Sequence, residues 1–212
     1  VTDMSYLFFN TAFNGDIGYW DVSNATNMLY LFGNNSSFNQ DISSWNVGNT
    51  TNMEGVFFNA AAFNQPIGSW NVSNATTMAY MLSGATSFNS ALNNWDINSV
   101  LTLEGIFLDA LVFNQDISSW NTSNVNNMKY IFFDAEAFNQ DISSWNTSAV
   151  TTLEYAFSET EAFNQDISSW DTSAITNMTG AFAQATAFNR DLSGWCVSNI
   201  ASEPPSFDDG AS

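Results

Sequence analysis

The chain has 212 residues, of which 45% are hydrophobic and 16% are aromatic, so a large buried core is available. Its 21 acidic residues face only two basic ones, Lys129 and Arg190, which gives a formal net charge of −19. Binding to nucleic acid needs clustered cations, as does attraction to anionic lipid, and neither is expected here. No stretch of about 20 apolar residues predicts a membrane span.

The chain contains no histidine, so it cannot form the nucleophile–histidine pairs that serine- and cysteine-based catalysis commonly uses. It also lacks a glycine-rich phosphate loop. We therefore predict that the protein is not an enzyme. Cys196 is the only cysteine, which excludes an internal disulfide and a cysteine-ligated metal site.

Two aromatic residues recur every 25 positions along the chain. The phenylalanines are Phe13, Phe38, Phe63, Phe88, Phe113, Phe138, Phe163 and Phe188. The tryptophans are Trp20, Trp45, Trp70, Trp95, Trp120, Trp145, Trp170 and Trp195. A regular period of this length is typical of a repeat array, in which each unit stacks on its neighbours and buries a continuous core.

The first part of each repeat has the pattern of a short strand. Ile42, Trp45 and Val47 have the spacing of the motif LxxLxL, so their side chains are predicted to point inward. Residues between them, such as Ser44 and Asn46, would stand on the outer face of that strand. The inward position of Val47 is taken in later repeats by Thr122, Thr147 and Thr172.

The second part of each repeat has the pattern of a short helix. Steps of three, four and three separate Val125, Met128, Phe132 and Ala135, which indicates one helix face. The two patterns together predict an α/β solenoid. We expect a leucine-rich-repeat-like, right-handed array of eight 25-residue coils, each a short strand plus a short helix or helical turns.

The repeat also predicts the domain bounds. The eight-repeat array would span residues 1–199, with the first repeat one residue short. Residues 200–212 would form a non-repeat C-terminal tail or partial cap, because Pro204 and Pro205 break the period. No capping pattern precedes the first repeat, so an open edge is expected there.

An asparagine follows each of the repeated phenylalanines. Stacked repeats would place these side chains in register, about 4.8 Å apart, where each can bond to the next repeat and to turn backbone. We predict a structural asparagine ladder at Asn14, Asn39, Asn64, Asn89, Asn114, Asn139, Asn164 and Asn189.

An aspartate column leaves two interpretations open. Each carboxylate could accept a hydrogen bond from the N–H two residues later, as in an Asx turn. Alternatively, carboxylates of neighbouring repeats could bind Ca²⁺ between them, which makes calcium the one candidate cofactor. The candidate metal ligands are Asp116, Asp141, Asp166 and Asp191.

The predicted outer strand face carries columns of small polar side chains. Such a face could bind a glycan, pack against another solenoid, order water as an ice-binding surface does, or serve only to keep the protein in solution. The candidate ligand-binding residues are Ser44, Asn46, Ser69, Asn71, Ser119, Asn121, Ser144, Asn146, Ser169 and Asp171.

The unit FNQDISSWNTSNVNNMKYIFFDAEAF, at 113–138, resembles the BspA-like leucine-rich-repeat family of bacterial and protist surface proteins. The motif FNQDISSWN stands intact at 38–46, 113–121 and 138–146. The segment DLSGWCVSNIASEPPSF, at 191–207, is similar to the family's terminal repeat, where a cysteine like Cys196 commonly has a partner downstream. This chain has no such partner.

This resemblance implies a location outside the cell or on its surface. It also implies a role in adhesion or ligand binding, with a protein or glycan at a cell surface as the partner. The open first repeat favours an alternative, in which the protein is a structural subunit that stacks end to end with copies of itself into a fibre or surface layer.

Overall fold

The computed structural model describes residues 1–211, and within that range there is neither a helix nor a continuous strand. Tight turns joined by short irregular stretches make up each repeat. The β pairing in this range is confined to single parallel bridges, one residue per repeat, at Asp3, Asn27, Asn52, Thr77, Thr102, Asn127, Thr152 and Asn177. The prediction of an α/β, leucine-rich-repeat-like solenoid is therefore wrong, and so are the strand and helix assigned to each repeat.

Two consecutive turns replace the predicted strand. The N–H of Trp45 donates to the Ile42 carbonyl at 3.0 Å, and the N–H of Thr50 donates to the Val47 carbonyl at 2.8 Å. A strand would instead direct these groups to a neighbouring strand. The inward positions of Ile42, Trp45 and Val47 are nevertheless confirmed, as are those of Thr122, Thr147 and Thr172.

The segment predicted to be helical is a run of overlapping turns. We call residues 127–137 and their equivalents the turn segment. Tyr130 and Asp134 have φ of 55° and 53°, values that a right-handed helix cannot contain. The N–H of Phe132 donates to Ala156 in the next repeat at 2.9 Å, whereas the N–H of Phe133 donates back to Tyr130 at 3.2 Å. The residues that indicated a helix face are buried all the same, namely Val125, Met128, Phe132 and Ala135.

Two positions in every turn segment have left-handed backbone. One column contains Tyr6, Tyr30, Gly55, Tyr80, Gly105, Tyr130, Tyr155 and Gly180. The other contains Asn10, Asn34, Asn59, Gly84, Asp109, Asp134, Glu159 and Gln184. Glycine, and less often asparagine and aspartate, tolerate this conformation. The occurrence of glycine at some positions of the first column, where other repeats have tyrosine, was therefore the signal in the sequence for left-handed backbone.

Stacked aromatic rings form the core. Neighbouring rings of the repeated phenylalanines lie 5.9–6.5 Å apart. A second column of phenylalanines, from Phe32 to Phe182, packs against them, with Leu82 in place of one ring. From Trp45 onward, each indole N–H donates to a backbone carbonyl of the preceding repeat at 3.0–3.1 Å. The tryptophans thus supply both core volume and a hydrogen bond between repeats.

The tail continues the stack by one more turn segment. Ser206 and Gly210 have φ of 52° and 81°, as the two left-handed positions require. The N–H groups of Gly180, Phe182 and Gln184 donate to Pro205, Phe207 and Asp209 at 3.0, 2.7 and 2.8 Å. Pro204 and Pro205 therefore do not prevent the tail from pairing with the last repeat.

Candidate binding surface

The residues of the predicted outer face lie on turns rather than on a strand, and all of them are exposed. These residues are Ser44, Asn46, Ser69, Asn71, Ser119, Asn121, Ser144, Asn146, Ser169 and Asp171. We call this set the Ser/Asn face. The serines share one position of the repeat and the asparagines, with Asp171, share another, so each set is spaced by the distance between stacked repeats.

The serines of this face also hold neighbouring repeats together. The Oγ of Ser119 donates to the Asn93 carbonyl at 2.7 Å, and the Oγ of Ser144 donates to Ser118 at 3.0 Å. Ser44, Ser69 and Ser169 make the same bond to the preceding repeat. Their hydroxyl hydrogens are thus already used, and only the oxygen lone pairs remain for a ligand.

Three asparagines of the face, Asn46, Asn71 and Asn146, are held by one side of the amide only, whereas Asn121 also donates from Nδ2 to Asn98 Oδ1. Asn46 Oδ1 accepts from the N–H of Gly48 at 3.1 Å, which closes an Asx turn. Asn71 and Asn146 make the same bond, and Asp171 does so as a carboxylate. In residues 1–211, no group accepts from the Nδ2 atoms of Asn46, Asn71 and Asn146. These three amides present free hydrogen-bond donors, while the equivalent positions between Asn71 and Asn146 are Asp96 and the already bonded Asn121.

The candidate calcium ligands also close Asx turns. Asp116, Asp141, Asp166 and Asp191 each accept from the N–H two residues later, at 2.8–3.0 Å. These bonds lower the pKa of each carboxyl group. The Asx-turn interpretation is therefore confirmed. No group of three or more metal-ligating side chains is found in residues 1–211, and calcium binding stays a prediction.

The asparagine ladder is also confirmed. The Oδ1 of Asn114 accepts from the backbone N–H of Asn139 at 3.0 Å, and the Oδ1 of Asn139 accepts in turn from Asn164 at 3.0 Å. The same bond joins the other members, from Asn14 to Asn189. These amide oxygens join the repeats and are not free for a ligand.

Sequence reasoning missed a second exposed feature, on the turn segments. Tyr30, Tyr80 and Tyr130 are half-buried rings that recur every 50 residues, and each has a glutamate 24 positions later. These glutamates are Glu54, Glu104 and Glu154. The 50-residue spacing of these tyrosines was visible in the sequence. Only the stacked structure shows that each tyrosine and its glutamate lie side by side on adjacent repeats.

Acidic residues crowd the turn segments at Asp109, Asp134 and Glu159. Burial, and then these neighbouring carboxylates, raise the pKa of Asp134 from its ordinary 3.8 to about 6. The folded protein therefore binds a proton more tightly than the unfolded chain. The free energy of unfolding should therefore fall as the pH rises from about 4 to about 6, and it should stay at the lower value above that range.

Replacing Asp134 with asparagine should therefore stabilise the protein at neutral pH. Asn34 and Asn59 occupy equivalent sites with the same backbone conformation, so the substitution fits. Allowing for solvent screening of this half-exposed group, we expect a gain of about 1 kcal/mol at pH 7 and almost none near pH 3. Denaturant unfolding at both pH values measures it.

The matched control is Asp166→Asn, since the pKa of Asp166 is lowered and not raised. Its carboxylate contributes stability that is present above the unfolded pKa and is lost as the pH falls below it. The control should therefore give no gain at pH 7. An equal effect of Asp134→Asn at both pH values would contradict the electrostatic explanation.

Residues 1–211 contain no helix that is long and apolar enough to cross a membrane, which agrees with the prediction that this chain contains no membrane span.

No curated protein and no solved structure matches the chain. One family model does, with the description "Mycoplasma protein of unknown function, DUF285", at residues 1–95, 65–159 and 102–212. The resemblance to the BspA-like family stays a prediction. Because the three matches together cover the whole sequence, the chain belongs to the DUF285 family.

Proposed function

We propose that the protein is a non-enzymatic extracellular or cell-surface repeat protein that mediates adhesion or ligand binding through the Ser/Asn face. A protein or glycan at a cell surface is the proposed partner. The free, outward Nδ2 donors of Asn46, Asn71 and Asn146 are the observation that supports this most directly. Each donor is fixed by its own Asx turn, so little side-chain entropy is lost on binding.

A second feature supports the same proposal. The serine oxygens lie in the same repeats as the amide donors, and successive backbones in a stack are about 4.8 Å apart. A ligand with its own hydroxyl or amide groups would therefore meet both an acceptor and a donor in each of the repeats that contain Asn46, Asn71 and Asn146. Glycans and extended polypeptides both have this character.

Asn71→Asp tests the proposal while keeping the fold. The carboxylate can still accept from the N–H of Ser73, as Asp171 does at the equivalent site, but it replaces the outward donor with an acceptor. We expect glycans or surface proteins that bind the parent to bind this variant about fivefold more weakly, as one lost hydrogen bond implies. A glycan array and a host-protein binding assay, each with and without calcium, provide the measurement.

Asn34→Asp is the matched control. It adds the same charge on a turn segment, and its carboxylate can keep the 2.9 Å bond from Asn59 Nδ2. Binding should be unchanged in this variant. If both variants bind equally well, or if they weaken binding equally, then the Ser/Asn face is not the site.

End-to-end stacking into a fibre or surface layer remains the second candidate. In this structure the N–H groups of Gly180, Phe182 and Gln184, which would pair with a following repeat, already donate to the tail. Because these N–H groups are already paired, we rank stacking below ligand binding. Filaments in electron micrographs of the purified chain would reverse that order.

A further inference from the structure

The tyrosines of the turn segments form an aromatic ridge that is interrupted at Gly55 and Gly105. Tyr6 stacks on Tyr30 with ring centroids 5.7 Å apart, and Tyr130 stacks on Tyr155 at 5.5 Å. Phe133 adds an edge-on contact to Tyr130 at 5.8 Å. The rings are half-buried, so one side of each faces solvent. This ridge lies on a part of each repeat that does not contain the Ser/Asn face.

Each of three tyrosines on the ridge is paired with a glutamate of the next repeat. The phenol of Tyr80 donates to Glu104 Oε1 at 2.6 Å. The backbone N–H of Tyr30 donates to the Glu54 carbonyl at 2.8 Å, and burial and the nearby charge of Glu54 raise the pKa of the Tyr30 phenol. We call the pairs Tyr30/Glu54, Tyr80/Glu104 and Tyr130/Glu154 the Tyr–Glu slots.

One slot already contains a cation. The Nζ of Lys129 lies 3.0 Å from Glu154 Oε1 and 4.9 Å from the centre of the Tyr130 ring. It thus makes an ion pair and a cation–π contact at once. The residues equivalent to Lys129 in the other two slots are Leu29 and Ala79, so those slots lack an internal cation.

We propose that the Tyr30/Glu54 and Tyr80/Glu104 slots bind the lysine or arginine side chains of an extended basic polypeptide segment. Lys129 shows the geometry that a guest side chain would adopt at Glu54. At Glu104 the guest would share the carboxylate with the Tyr80 phenol and with Asn127 Nδ2. The two slots are two repeats apart, a distance of about 10 Å at the spacing of stacked backbones. One turn of a polyproline II helix, with three residues at about 3.1 Å each, spans nearly the same distance and returns every third side chain to the same face. The partner would therefore carry a basic residue at every third position.

The charge of the protein favours the same partner. A net charge of −19, with only two cations in the sequence, attracts a basic segment over the whole surface. The backbone of Glu54 is hydrogen-bonded, but its carboxylate makes no hydrogen bond or ion pair in residues 1–211 and is free to receive a cation. This inference does not depend on the function proposed for the Ser/Asn face.

Fluorescence anisotropy with a labelled synthetic peptide tests the inference. The peptide has arginine at every third position in a glycine, serine and proline background. A second peptide has the same arginines grouped together. We expect the double variant Glu54→Gln, Glu104→Gln to bind the first peptide about tenfold more weakly than the parent. The parent should also prefer the spaced peptide to the grouped one.

The matched control is Glu161→Gln with Glu203→Gln, which removes two exposed charges outside the slots and should weaken binding less than about twofold. Leu29→Lys provides a second measurement, because an internal lysine would fill the first slot and should weaken peptide binding about threefold. Thermal unfolding shows that each variant is folded. Equal weakening by the two double variants, or no preference between the peptides, would overturn the inference and leave only attraction by net charge.

Discussion

Replacing Phe132 with alanine is expected to lower the free energy of unfolding by about 3–5 kcal/mol. The ring is fully buried, and its centre lies 3.9 Å from that of Phe138 and 5.6 Å from those of Phe107 and Phe157. Its removal leaves a cavity in the middle of the stack that rings on both sides are too constrained to fill. Denaturant unfolding followed by tryptophan fluorescence measures the loss.

Phe132→Leu is the matched control, since Leu82 occupies the equivalent position two repeats earlier with no loss of burial. We expect it to cost about 1–1.5 kcal/mol, because most of the volume is kept. If the alanine variant lost no more stability than the leucine variant, then the ring column would not be the main source of cohesion between repeats.

Gly105→Ala should destabilise the protein by about 2–3 kcal/mol for two reasons. Gly105 has φ of 56°, a conformation that costs alanine about 1–2 kcal/mol. A Cβ atom there would also lie 2.5 Å from Tyr80 Cδ1, and the bond from the Tyr80 phenol to Glu104 restricts that ring. Thermal and denaturant unfolding of the variant measure the combined cost.

A double-mutant cycle separates the two causes. Tyr80→Gly removes the ring at a position where the same column contains Gly55 and Gly180, so the backbone accepts it. In that background, Gly105→Ala should cost only the backbone part, about 1–2 kcal/mol. An unchanged cost would show that contact with Tyr80 contributes nothing.

The local chemistry of the turns was predictable in part. The Asx turns of Asp116 and its equivalents followed from short polar side chains that accept from an N–H two residues away. The asparagine ladder followed from register alone, because identical residues at one period must meet when repeats stack. Both are local or strictly periodic effects, which the sequence displays directly.

The Tyr–Glu slots were not predictable in the same way. Tyr80 and Glu104 are 24 residues apart, and nothing between them indicates that the phenol and the carboxylate come within hydrogen-bond distance. Their meeting depends on the backbone path of the turn segment, which was wrongly predicted as a helix. The Ser/Asn face shows the same limit, since its exposure was correctly expected while the bonds from Ser119 and Ser144 to the preceding repeat were not.

The sequence by itself determined the 25-residue period, the inward side chains and the aromatic core, because hydrophobic spacing records burial whatever the backbone does. It did not determine the backbone. Turns with left-handed residues such as Tyr130 and Asp134 bring Met128, Phe132 and Ala135 inward at the same steps as a helix would. Only the stacking of repeats distinguishes the turns from a helix, because alternate N–H groups of the turn segment bond to the next repeat. The rings packed around each tyrosine hold it in its positive-φ conformation.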